Sequence, residues 1–235
     1  MSPRLTHALL REWAVEHGFG QRGSVPPDGL LRPRQVHGAC VELVGESGWE
    51  EPPEADAVVS TLPGRPVGVV TADCVPVLAA SRCGSAVAAI HAGWRGLAHG
   101  VVRRGLDALR AAAPAGAELR AVMGPHIGPC CYEIDAPVGE ALYRRFGTKL
   151  SAALRPSRPG HHWLDLGRLV RHEIESAELD PECIGSLPAS CTRCDAARFH
   201  SYRRDGVRAG RLVHYICAHA DGGLARPLDT SCGSS

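Results

Sequence analysis

A chain of 235 residues has room for one large domain or two small ones and enough interior for a sizeable core. Apolar residues make up 44% and charged residues 22%, and 26 basic against 25 acidic side chains leave a net charge of +1. That balance removes any global case for nucleic acid or a membrane surface as partner, and no apolar run reaches the length of a membrane span.

In chain order, residues 5 to 17 are predicted as an amphipathic helix, with Leu5, Leu9, Leu10 and Trp13 on one stripe. The Gly/Pro-rich stretch GFGQRGSVPPDG follows as loop. Short runs rich in valine and alanine then dominate: ACVELV, ADAVVST, PVGVVTAD, PVLAAS and SAVAAIHA. Their Gly, Pro and Ser punctuation marks them as strands, and their nearly continuous apolarity as strands covered on both faces. Residues 96–113 read as a helix closed by Pro114, LRAVMG as a strand, and PHIGPCCYEI as a turn-rich segment. A helix near 136–146, a strand WLDL, a helix at 167–177, an irregular Cys/Arg segment and a last strand RLVHYICA complete the pattern. No repeat or linker divides it. The expectation from this pattern is a single layered domain, spanning 1–235, that contains both strands and helices. The N-terminal helix within residues 1–20 and the tail at 219–235 are expected to be peripheral.

The first residues carry charge throughout and lack the apolar core of a signal peptide, so the expected location is the cytoplasm. The ten cysteines are accordingly read as free thiols, some buried and a few ligating. Lys149 is the only lysine, a bias that reads first as codon usage and second as a hint of anion binding.

Three segments place a possible metal ligand at the edge of a strand: His37 in RPRQVHGA, Cys74 in VVTADCVPVL and His91 in AVAAIHAGWRGL. Two imidazoles and a thiolate suit Zn²⁺ and leave a fourth position for water, as in catalytic sites. Spacing alone leaves the bland readings open. Cys74 is also a natural core cysteine, and each histidine is as easily satisfied by backbone hydrogen bonds. The polar company of Asp73, Trp94 and Arg95 beside apolar strands tilts the balance toward a site.

QVHG, TADCVPVL, HAGWRGL, GPHIGPCCYEI and FHSYRRDG, in this order over about residues 17 to 216, resemble the laccase-domain family. Its members have been described as multicopper polyphenol oxidases, purine nucleoside phosphorylases and peptidoglycan-editing factors. The resemblance implies an α/β layered sandwich, with mixed β-sheets at the centre and helices outside, and one metal held by His37, Cys74 and His91. It also implies phosphorolysis of adenosine, inosine, guanosine and methylthioadenosine, and deamination of adenosine. Editing of peptidoglycan precursors is the alternative activity, and copper-dependent phenol oxidation a third. The chain departs from the family in one place. Only twelve residues separate Arg22 from Gln35, where the family has a longer stretch with a helix. His126 also stands where a small residue is usual.

Phosphorolysis needs a phosphate clamp, for which Arg95 and Arg203 lead, with Arg204, Arg34 and Arg22 behind. Deamination needs a proton carrier, and Asp73 or Glu133 fits that role. Gln35, Trp94, Cys131, Tyr132 and Arg203 are the expected substrate contacts, with Trp94 and Tyr132 stacking on a purine. The implied partners are a purine nucleoside and phosphate, bound by a monomer or homodimer. A laccase-type copper cluster is disfavoured, since none of the twelve histidines forms a His-x-His pair. Cys191-x-x-Cys194 has the spacing of half a structural zinc site, but no second such pair accompanies it, so a free or redox-sensitive thiol pair is expected.

Overall fold

The computed structural model describes residues 4–188 and 191–219. Its centre is a six-stranded mixed sheet in the order β11-β7-β5-β6-β3-β2. These strands are β2 (Val41–Val44), β3 (Ala57–Ser60), β5 (Val75–Ser81), β6 (Val87–Ala92), β7 (Leu119–Met123) and β11 (Ile184–Ser186). β2 runs parallel to β3 and β11 parallel to β7; the other pairings are antiparallel.

Both faces of this sheet are buried, and the two-residue period of a strand sorts its side chains into two cores. Ala57, Val59, Val75, Val77, Ala79, Ala88, Ile90, Ala121 and Met123 face the helices. Those helices are α3 (Val101–Ala112), α4 (Ala136–Phe146) and α5 (Leu166–Ser176). They contribute Leu106, Leu109, Leu142, Leu169, Val170 and Ile174. The opposite parity, Val58, Leu78, Ala80, Val87, Ala89 and Val122, packs on a three-stranded antiparallel sheet ordered β1-β12-β4. Its strands are β1 (Glu16–Gly18), β4 (Pro66–Thr71) and β12 (Leu212–Cys217). The result is a single layered α/β domain, as the sequence pattern implied. A second small antiparallel sheet, β8-β10-β9, joins β8 (Glu133–Asp135), β9 (Leu154–Pro156) and β10 (His161–Leu164) at the periphery.

The helices over 136–146 and 167–177 form within a residue of their predicted bounds, each with an aspartate capping its first turn. Asp135 accepts from the Val138 amide at 3.4 Å, and Asp165 from the Arg168 amide at 2.9 Å. Two other helices differ. The run at 96–113 is divided into α2 (Trp94–Ala98) and α3, because Gly100 adopts a left-handed φ of 77° between them. The predicted helix over 5–17 shrinks to α1 (Ala8–Glu12); Ala14 takes φ 55°, and the chain continues as β1 against β12. Nor is this N-terminal stretch peripheral, since Leu10, Trp13, Val15 and Phe19 are buried in the second core. Of the tail at 219–235, all but His219 lies outside the described residues; His219 bonds the Trp13 carbonyl at 3.0 Å.

Candidate metal centre

Three chain turns meet at one end of the central sheet. The loop before β2 presents His37, the β4–β5 turn presents Cys74, and the last residues of β6 present His91. The ligand atoms of these three side chains lie within 4.8 Å of one another. The two imidazoles approach edge to face, with centroids 4.8 Å apart and an interplanar angle of 81°. Zinc bonds of about 2.0–2.3 Å require donors roughly 3.3–3.7 Å apart, so the set fits one tetrahedral ion with a position left over.

The backbone beside these side chains is unusual. His37 has φ 60° and Asp73 φ 101°, left-handed conformations that non-glycine residues adopt only under constraint. Gly93, directly after β6, leaves little room for a side chain: a Cβ there would sit 3.0 Å from Cys74 Sγ and 3.2 Å from His37 Cδ2, so these neighbours would have to give by a few tenths of an ångström. The turn leading into α2 therefore passes in contact with two of the three ligands.

The constraint on His37 comes from Asp56, a residue the sequence reading missed. It is completely buried, one position before β3. Its carboxylate accepts from the amides of Val36, His37 and Gly38 at 3.2, 3.0 and 2.6 Å, and lies 2.8 Å from His91 Nδ1. Nδ1 of His91 is therefore the protonated nitrogen, and the Nε2 lone pair is left for a metal. Burial pushes the Asp56 carboxyl up, but the bond and charge of His91 and the amides of Gly38 and Val36 outweigh it and hold it below the ordinary range. The one signal in sequence was an acid embedded in an apolar run, EADAVVS, which is affordable only with partners.

Electrostatics prepare the thiolate. Burial favours the neutral Cys74 thiol, yet the charge on His91 and a hydrogen bond from His37 bring its pKa down to about 6. Burial likewise opposes a charged His91, and the Cys74 thiolate and then Asp56 raise it to about 9. Each shift favours the charged form, thiolate for Cys74 and imidazolium for His91, because each charge stabilises the other.

The other expected site residues divide into those around this centre and those engaged elsewhere. Arg95 lies 4.8 Å from the centroid of Trp94, and Arg203 5.1 Å from that of Tyr132. The Tyr132 phenol is pushed upward first by burial and then by the negative charge of Cys74, with Asp73, Arg203 and Arg95 also acting on it. These groups therefore share the neighbourhood of the ligands.

Asp73 is buried, but its carboxylate accepts from Thr192 Oγ1, from Ser201 Oγ at 3.0 Å and from the Arg203 amide at 2.7 Å. With three donors on its oxygens it is suited to positioning rather than to the proton transfer expected of it. Glu133 is held by Ser157 at 2.6 Å and by Arg158, on the small peripheral sheet. Gln35 uses both ends of its amide on the backbone of Val70, at 2.8 and 2.7 Å, extending the β4 edge instead of facing a substrate. Cys131 joins other cysteines, its sulfur 3.3 Å from that of Cys194. His126 bonds the Gly124 carbonyl at 2.8 Å and packs against Gly167 of α5.

The chain is similar to known proteins in sequence and in fold. Residues 17–219 match the family model described as multi-copper polyphenol oxidoreductase laccase. A Xylella fastidiosa protein named purine nucleoside phosphorylase is 39% identical over 186 residues, covering 77% of this chain and 68% of its own length. The crystal structure of the hypothetical protein YfiH from Bacillus licheniformis superposes with a TM-score of 0.81 at 24% identity, over 93% of this chain and all of its own. That of YlmD from Geobacillus stearothermophilus gives 0.74 at 28% identity, over 82% and 74%. The chain belongs to the multi-copper polyphenol oxidoreductase laccase family, the laccase-domain proteins.

Proposed function

We propose that the chain is a zinc-dependent enzyme of purine nucleosides, whose main reaction is phosphorolysis of the glycosidic bond. The observation that supports this reading is the convergence of two imidazoles and a thiol, their ligand atoms within 4.8 Å of one another, with the thiol shifted toward its anionic form. The names of relatives, purine nucleoside phosphorylase, supply the substrate class. Among the described residues the metal-competent groups are this one and a set of four cysteines. Neither offers the additional histidines of a multi-copper cluster, which favours zinc over oxidase chemistry.

A zinc ion bound here supplies Lewis acidity, with water at its open position acidified to a pKa of about 7. The remaining work belongs to side chains. Trp94 and Tyr132 offer aromatic faces to a purine. Arg95 and Arg203, both exposed, carry guanidinium groups that pair with no carboxylate among the described residues. They are the natural clamp for a phosphate brought against the anomeric carbon, where its oxygen forms the new bond as the base departs. Tyr132 offers its hydroxyl as hydrogen-bond donor to the leaving base. Adenosine deamination is proposed as a side reaction: water adds to the purine carbon that bears the amino group, the carbon–nitrogen bond breaks and ammonia leaves, and a zinc ion held by His37, Cys74 and His91 would supply the acidity that activates the water.

Incubation of the pure protein with adenosine, inosine, guanosine or methylthioadenosine, with and without phosphate, tests this directly. Free base and ribose phosphate should form only with phosphate, and His91→Ala should abolish them. Absence of base release from all four nucleosides rejects the reading. Turnover of a UDP-muramyl precursor carrying L-Ser in place of L-Ala would then assign the same centre to amide hydrolysis.

A further inference from the structure

We propose that Cys130, Cys131, Cys191 and Cys194 hold a second zinc ion in a closed, structural site. The adjacent pair in GPCC and the Cys-x-x-Cys pair in CTRC are remote in sequence. Their turns nevertheless pack together, and all four sulfurs lie within 4.8 Å of one another. Two of the separations are 3.8 Å, Cys130 to Cys194, and 3.3 Å, Cys131 to Cys194. Four thiolates at zinc–sulfur bonds of about 2.3 Å sit roughly 3.8 Å apart in a tetrahedron, so the observed spacing surrounds a volume of the right size. All four are free thiols.

The surrounding backbone brings the two turns together independently of the sulfurs. His126 pairs with Cys191 in an isolated parallel bridge, and the Thr192 amide donates to the His126 carbonyl at 3.1 Å. A Cβ on Gly128 would lie 3.2 Å from Cys191 Cβ and 3.3 Å from Cys130 Sγ, so a glycine there permits the close approach. Arg193 donates to Cys131 Sγ at 3.4 Å and offsets part of the double negative charge that four thiolates and one divalent ion carry. On binding, four thiols release four protons and form four zinc–sulfur bonds, with no change of oxidation state. No position remains for water, which separates this site from the centre of His37, Cys74 and His91.

The staple has a mechanical role. The segment it anchors carries Thr192, Ser201 and Arg203, the three donors to Asp73, whose strained backbone precedes the ligand Cys74. Arg204 adds bonds to the carbonyls of Thr192 and Arg193 at 2.9 and 3.0 Å. The second zinc thereby fixes one wall of the first site without touching substrate.

The test is metal analysis of the full chain purified without chelator, with zinc K-edge absorption spectroscopy. The unaltered protein should hold two zinc ions per chain. His37→Ala/His91→Ala should retain one, coordinated by sulfur alone at about 2.3 Å. Cys191→Ser/Cys194→Ser should lose that ion and keep the other. If the cysteine variant does not fold, alkylation of the unaltered protein decides. Cys130 and Cys194 are exposed, like Cys40, yet should react roughly tenfold or more slowly than Cys40 until a chelator is added. A histidine double variant without zinc, iron in place of zinc at the four sulfurs, disulfides among the four cysteines, or labelling of Cys130 and Cys194 at the rate of Cys40 would each overturn the proposal.

Discussion

Asp56 lies 2.8 Å from Nδ1 of His91, and the same carboxylate receives the amide of His37 at 3.0 Å. One buried acid thus orients one imidazole through its ring and the other through its backbone. The two histidines come from different parts of the chain, so their mutual geometry is set by a residue that touches no substrate. Exchanging Asp56 for Asn replaces an acceptor oxygen with an N–H₂ that faces amide donors. Zinc affinity, measured by chelator competition, should fall about 10- to 100-fold. An unchanged affinity would show that the imidazoles are oriented by something else.

Gly93→Ala probes the close approach of the β6–α2 turn. The added methyl meets Cys74 Sγ and His37 Cδ2 at 3.0 and 3.2 Å, so the ligands must move apart. Zinc occupancy and activity should fall together. The cost in stability should stay near 1–3 kcal/mol, as for other overpacked positions.

Arg203 separates binding from architecture. Its backbone amide holds Asp73, while its guanidinium lies over Tyr132 and bonds the Glu133 carbonyl at 2.9 Å. Arg203→Ala keeps the amide and removes the charge. KM for phosphate should rise about tenfold or more, the loss of a charge-assisted contact, while zinc content stays the same. Arg203→Lys should rescue only weakly, because an ammonium lacks the planar fork. Equal KM values in all three proteins would remove Arg203 from the phosphate site.

His214 gives the fold a pH dependence of definite sign. It is fully buried between the Gly20 amide at 3.3 Å and Thr71 Oγ1 at 2.9 Å. Burial, assisted by the charge of His91, lowers its pKa to about 3. Above the unfolded value of about 6.5 the imidazole is neutral in both states and its contribution is intact. Below it the unfolded chain takes up a proton that the native state refuses, so stability is lost progressively from pH 6.5 toward 3, on the order of a few kcal/mol. His7, His17, His126 and His200 are lowered by burial in the same direction. Denaturant melts from pH 7.5 to 5 should show the decline, and His214→Gln should make it shallower; a parallel slope would assign the acid sensitivity to the other four.

The layered fold was legible because strands buried on both faces leave long valine and alanine runs; His37, Cys74 and His91 stood out as candidates beside such runs, but spacing left them open and only the family resemblance singled them out. Asp56 escaped because its partners are backbone amides and an imidazole brought near only by folding. The three-residue strands β1, β8, β9 and β11 are too short to show a period, and pairing with a neighbour, not local preference, makes them strands. The N-terminal stripe read as one long helix because Leu10, Trp13 and Phe19 are indeed core, although a left-handed Ala14 turns the chain between them. The CTRC pair appeared to lack a partner because its other half is an adjacent GPCC, which no spacing rule connects to it.

Anomalous diffraction at the zinc and copper edges, from crystals of protein purified without added metal, addresses the central claim most directly. Expected is a zinc signal bonded to His37, to Cys74 Sγ and to Nε2 of His91, with one further position facing solvent. A copper signal at that point, or imidazoles and sulfur turned away from a common centre with no metal between them, would contradict it.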